Sequence, residues 1–118
     1  MFRNEGQVRE NILKAGVKNC YISEITIAEL YFGVAKAADK ARKMNDIKNI
    51  QTMFKIIPAY PSFKEYGEIR LSLERTGQRI DQFDLLIGAT AIHHQMTVVT
   101  SNVKHFERIP DMIYEDWK

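Results

Sequence analysis

The sequence predicts an α/β fold, a parallel sheet with helices on both faces. Two observations carry this. Short β-branched or aromatic runs alternate with longer stretches of helical period along the whole chain, the order that builds strand–helix–strand crossovers. The length, 118 residues, is that of a single domain spanning 1–118, large enough to bury a core without staples.

Taken in order, Val8, Ile12 and Leu13 space an amphipathic helix over about Glu5 to Ala15, and Gly16 ends it. CYIS, Cys20 to Ser23, reads as a short strand, and Ser23 caps a helix that starts at Glu24 and runs through ITIAELYFGVAKAA. That helix is apolar almost all round, so most of it is expected to be buried. A charged helix follows from about Lys40 to Phe54, then a strand, KIIPAY, broken or held at an edge by Pro58. Pro61 or Ser62 opens a helix carrying Phe63, Tyr66, Ile69, Leu71 and Leu73, and Gly77 closes it. Asp81 caps an apolar helix, DLLIGATAIHHQ, to about Gln95. MTVVTS has the strongest strand signal, NVKHFERI suggests a short helix, and MIYEDW a last strand.

Composition narrows the function. No apolar run approaches the roughly 20 residues that span a bilayer, and MFRNEGQVREN is too polar for a signal peptide. A single cysteine, Cys20, excludes an internal disulfide framework and fits a reducing cytoplasm; within CYI it reads as a small buried hydrophobe. Net charge is only +2, but Lys36, Lys40, Arg42, Lys43 and Lys48 make one segment basic. Such a run is a solvated helix face or a phosphate-binding flank.

In parallel sheets, sites form outside the carboxyl ends of strands. Glu29 lies two turns into the helix after CYIS, Asp84 in the first turn of the helix before MTVVT, and Asn102 directly after MTVVTS. A carboxylate set among Ile25, Ile27, Leu30, Tyr31 and Phe32 reaches the surface, pairs with a cation, or is held for chemistry. Asp81 and Asp84 can be explained as a cap and a first-turn acid, and Asn102 as a turn residue. Brought together, these hard oxygen ligands suit magnesium or manganese, which polarise a phosphodiester and activate a bound water. His93 and His94 lack the spacing of a zinc pair, and His105 stands alone. No glycine-rich phosphate loop, paired cysteines or nucleophile elbow is present.

ISEITIAELYFGVAKA and GQRIDQFDLLIGATAIHHQMTVVTSNVKHFERIPDMIYEDW resemble the PIN-domain ribonucleases, specifically the VapC-type toxins of bacterial toxin–antitoxin pairs. The resemblance runs in register over essentially the whole chain. It implies a metal-dependent endoribonuclease with Mg2+ or Mn2+ as cofactor, an RNA substrate, a homodimer and a small cognate antitoxin whose tail fills the active-site groove. Glu29 and Asp84 take the places of two family metal ligands. Asn102 stands where many members carry a further acid, Thr100 precedes it, and Asp81 is an auxiliary carboxylate. Lys104 and the basic group Lys36, Lys40, Arg42 and Lys43 become RNA-phosphate contacts, which position without reading sequence.

Family members open with a hydrophobic strand ending in Asp-Thr-Asn, whose Asp binds metal. MFRNEGQVRE is similar to the segment after that strand, so the expectation is an N-terminally shortened PIN-like domain lacking its first strand. That strand lies centrally, between the CYIS and MTVVT strands. Its loss would open a gap about twice the usual 4.8 Å strand spacing. The other functional class is therefore a PIN-like module that binds an antitoxin or RNA without cleavage. A receiver-type signalling domain is disfavoured, because the acid pattern it needs is missing.

Overall fold

The computed structural model describes residues 5–117, with the side chains of residues 5–8 outside the described set. Met1 to Asn4, the start of the segment likened to the one that follows the family's first strand, also lie outside it. The order is α1 (Glu5–Ala15), β1 (Tyr21–Ser23), α2 (Glu24–Lys36), α3 (Lys40–Met53), β2 (Lys55–Ile57), α4 (Phe63–Arg75), α5 (Gln82–His93), β3 (Val98–Val99), α6 (Val103–Phe106) and β4 (Tyr114–Glu115).

The ends follow the local chemistry. Gly16, at φ 89°, takes the left-handed conformation that stops α1. The Ser23 hydroxyl accepts from the Ile25 N–H, so the strand β1 passes into α2 with no loop. β2 ends just before Pro58, which has no N–H to give a ladder. After α4, Gly77 at φ 72° reverses the chain while Gln78 N–H donates to the Leu73 carbonyl.

All strand pairing is parallel, as expected. β1 pairs with β2 in the register Tyr21–Lys55, Ile22–Ile56 and Ser23–Ile57. β3 pairs with β4 as Val98–Tyr114 and Val99–Glu115. Among the described residues these are two separate two-stranded sheets, and β1 is not hydrogen-bonded to β3. MTVVTS, read as a six-residue strand, is regular only over Val98 and Val99. Its ladder is one-sided, with Val98 and Thr100 N–H donating to the carbonyls of Ile113 and Glu115.

α5 is the hub. Leu85, Gly88, Ala89, Thr90 and Ala91 are all buried, and the helix touches α2, α4, α6 and β3. A core of Leu73, Leu85, Ala91, Val98, Phe106 and Ile109 gathers around it. Gly88 admits a close approach, since a Cβ there would stand 2.7 Å from Ile109 Cδ1. Thr90 hides its hydroxyl by donating to the Leu86 carbonyl at 2.7 Å and sharing a 3.2 Å bond with Ser62.

α2 departs from expectation. Only Ile27 is fully buried, with Leu30 and Val34 half-buried on the same stripe, while Ala28, Glu29, Tyr31 and Phe32 are exposed. A helix buries only the faces its neighbours cover, and α2 packs on α3, α5 and β1. Its apolar content exceeds the partner surface available.

Candidate active site

Asp84 is placed by the start of α5. Asp81 caps that helix, its Oδ1 accepting from the Phe83 N–H at 2.9 Å and the Asp84 N–H at 3.2 Å. Asp81 therefore fills the capping role its position predicts. Asp84 is not merely a first-turn acid. Its side chain is 15% exposed, and Oδ2 lies 2.6 Å from His105 Nδ1.

Glu29 comes from the open face of α2. Although the residue is exposed, its carboxyl pKa is raised above the ordinary value. Partial burial is the main cause, followed by repulsion from Asp84 and then Asp81. Acids 55 positions apart in the chain thus lie within reach of each other's charge. The three possibilities for Glu29 narrow: it reaches the surface, and the charges that face it are acidic rather than basic.

Asn102 begins α6, but its side chain makes no capping bond. Its backbone N–H donates to Thr100 Oγ1 at 2.9 Å, and its carbonyl accepts from the N–H groups of His105 and Phe106. No hydrogen bond joins Asn102 or Thr100 to Glu29 or Asp84 among the described residues. Their link to Asp84 runs through His105. This histidine, which looked isolated in sequence, is the site residue that sequence reasoning missed. Its only sequence signal was its place three residues after Asn102, on the same short helix.

The basic group stands apart from this junction and is partly occupied with local work. Lys40 Nζ donates to the Ala35 carbonyl at 2.5 Å and so closes the end of α2. Lys36 Nζ sits 4.6 Å from the centre of the Phe32 ring. Arg42 and Lys43 are exposed on α3, and Lys104 is exposed on α6. The concavity lined by Arg70, Glu74, Arg79 and Gln82 contains neither acid.

Cys20 and the His93–Glu65 pair have structural explanations. Burial pushes the Cys20 thiol up, away from the reactive thiolate. His93 Nδ1 lies 2.9 Å from Glu65 Oε1, tying α5 to α4, and this bond lowers the Glu65 pKa.

A family profile described as the PIN domain matches residues 3–112. The chain belongs to the PIN-domain family. Within it the chain is of the VapC type. It is 41% identical over 98 residues to ribonuclease VapC2 of Rickettsia felis, covering 81% of this chain and 72% of that protein. Over 97 residues it is 31% identical to the tRNA(fMet)-specific endonuclease VapC of Salmonella typhimurium, covering 81% and 74%. Among solved structures, VapBC2 from Rickettsia felis bound to a promoter DNA fragment superposes with a TM-score of 0.87 at 35% identity, covering 97% of this chain and 86% of that one.

PIN nucleases depend on divalent metals, and the donor set here suits such an ion in kind. Glu29 and Asp84 are hard oxygen ligands whose mutual repulsion a cation would relieve. In number the set is short. Among the described residues no three His, Cys, Asp or Glu side chains come together in a metal-holding group.

Proposed function

We propose that this chain is the toxin of a type II toxin–antitoxin pair, a metal-dependent endoribonuclease that hydrolyses RNA phosphodiester bonds with Mg2+ or Mn2+. The observation that carries this is the PIN-domain match across residues 3–112 with its VapC relatives; that Asp84 helps to raise the Glu29 pKa supports these two as the acids of the site. The solved relatives pair VapC with VapB, and a small antitoxin is the expected partner here.

When bound, a divalent ion polarises the scissile phosphate and lowers the pKa of water. Glu29 and Asp84 would hold it. Asp81 keeps the first turn of α5 in place, so that Asp84 projects from a fixed backbone. Thr100 braces the turn that carries Asn102, whose side-chain amide makes no capping bond and would be available to an RNA phosphate. Arg42, Lys43 and Lys104, with Lys36 and Lys40, offer positive charge to RNA phosphates and make the affinity salt-dependent. The protein acts in the cytoplasm, where RNA and an antitoxin are at hand, as a homodimer. The described part has no helix long and apolar enough to cross a membrane.

The short donor set among the described residues also favours a second reading, a PIN module that holds antitoxin or RNA without cutting it. Cleavage of RNA with Mg2+ or Mn2+, compared between the protein and its Glu29→Gln and Asp84→Asn variants, separates the two. The nuclease loses cleavage with each substitution and with EDTA. Retained RNA binding with no cleavage in any form supports the module.

A further inference from the structure

His105 has a defined place. α6 is only four residues long, yet Phe106 within it is 2% exposed and belongs to the core around α5. The Asn102 carbonyl accepts from both His105 N–H, at 3.0 Å, and Phe106 N–H, at 3.4 Å. The residue beside His105 is thereby anchored, and the imidazole is set against α5. There Nδ1 stands 2.6 Å from Asp84 Oδ2. An ionised carboxylate only accepts, so Nδ1 carries the hydrogen and donates it. Neutral and cationic rings both provide that hydrogen.

We propose that His105 is a positioning residue for Asp84. Left alone, the terminal torsion of an aspartate is broad and roughly two-fold. The bond from His105 engages Oδ2 and fixes the carboxylate plane. Oδ1 would remain free to help hold a divalent cation. A ligand held by a partner of its own is better oriented and loses less freedom on binding metal. The same short helix starts at Asn102, so one anchored element sets both Asn102 and Asp84. This inference rests on the nuclease reading, because it concerns the acid pair on which that reading depends.

The test is calorimetric titration of the whole chain with Mn2+. It compares wild type with His105→Ala, His105→Asn, His105→Gln, Glu29→Gln and Asp84→Asn, with thermal unfolding of each in EDTA. Asparagine places an N–H near the position of Nδ1, whereas glutamine reaches toward Nε2. His105→Ala is expected to weaken Mn2+ binding roughly 10- to 100-fold, His105→Asn to restore most of it, and His105→Gln not to. The Asn and Gln variants should unfold at similar temperatures in EDTA. If His105→Ala binds Mn2+ within about twofold of wild type while Glu29→Gln and Asp84→Asn do not bind, the positioning role is overturned and the nuclease reading stands. If the Asn and Gln variants are equally impaired and equally destabilised, His105 serves packing alone and the proposal falls. If wild type takes up no Mn2+, or takes it up regardless of Glu29 and Asp84, the nuclease reading fails and this inference with it.

Discussion

The stretch from α4 to α6 supplies most of the buried core, although Phe63, Leu71, Phe83 and Val99 stay exposed, whereas the stretch from β1 to β2 buries few of its apolar side chains. Leu73, Leu85, Val98, Phe106 and Ile109 are all 7% exposed or less. In the other stretch Ile27 and Ile47 are buried, but Tyr21, Tyr31, Phe32, Met53 and Ile56 are exposed. The difference reaches the site. Asp84 starts a helix enclosed by the core and has a bonded neighbour at 2.6 Å. Glu29 stands on an exposed helix face, next to acids that repel it. One half of the acid pair is pre-set by packing, and the other is held by little besides its helix backbone.

Substitutions can break or sharpen this contrast. Phe106→Ala should have the largest effect, a loss of about 3–5 kcal/mol in chemical denaturation. It should also release Asp84 by unseating α6. A cost near 1 kcal/mol would show that the core around α5 is looser than its burial implies. Gly88→Ala comes next, at about 1–2 kcal/mol. The new methyl meets Ile109 Cδ1, the tip of a side chain that is itself buried and can move only within a packed core.

Glu29→Gln should move stability the other way. The Glu29 pKa is raised in the folded state, so the unfolded chain gives up its proton first as pH rises. The stability associated with the protonated carboxyl is complete below the ordinary glutamate value and is lost as pH rises through the folded one. At pH 7 without metal, the variant should melt slightly higher, on the order of 1 °C after screening of an exposed group. The gain should vanish below about pH 4 and reverse when Mn2+ binds wild type. Phe32→Ser should be nearly silent, within about 0.5 kcal/mol by denaturation, since the ring is exposed and loses only its contact with Lys36. A large cost there would mean that the open face of α2 is covered in solution.

Local chemistry made much of the fold legible. Ser23, Asp81, Gly16 and Gly77 mark helix ends and turns through capping bonds or positive φ, and these signals act within a few residues. Parallel strands with helical crossovers followed from the alternation of patterns. The burial of α2 was not legible. Apolar periodicity shows what a helix could bury, whereas neighbouring elements determine what it does bury, and Tyr31 and Phe32 have none over them. The length of the MTVVTS strand was overestimated for a similar reason. β-branched residues favour extended backbone, but a ladder needs a partner, and β3 has one on a single side.

The site divides in the same way. Glu29 and Asp84 could be picked out as candidates from their positions at the ends of strand-like runs, and their family resemblance gave them a chemistry. His105 could not be. Its role depends on α6 lying across the first turn of α5, a contact between residues 21 positions apart.

By itself the sequence determined the helix caps, the parallel α/β order and the two acids available for an ion. These depend on torsional preference and on bonds between near neighbours. Only the tertiary structure decided which apolar face stayed in water, where the sheet divided, and that a histidine would hold Asp84. Each of those depends on surfaces from distant parts of the chain being brought together, and no short-range pattern encodes that meeting.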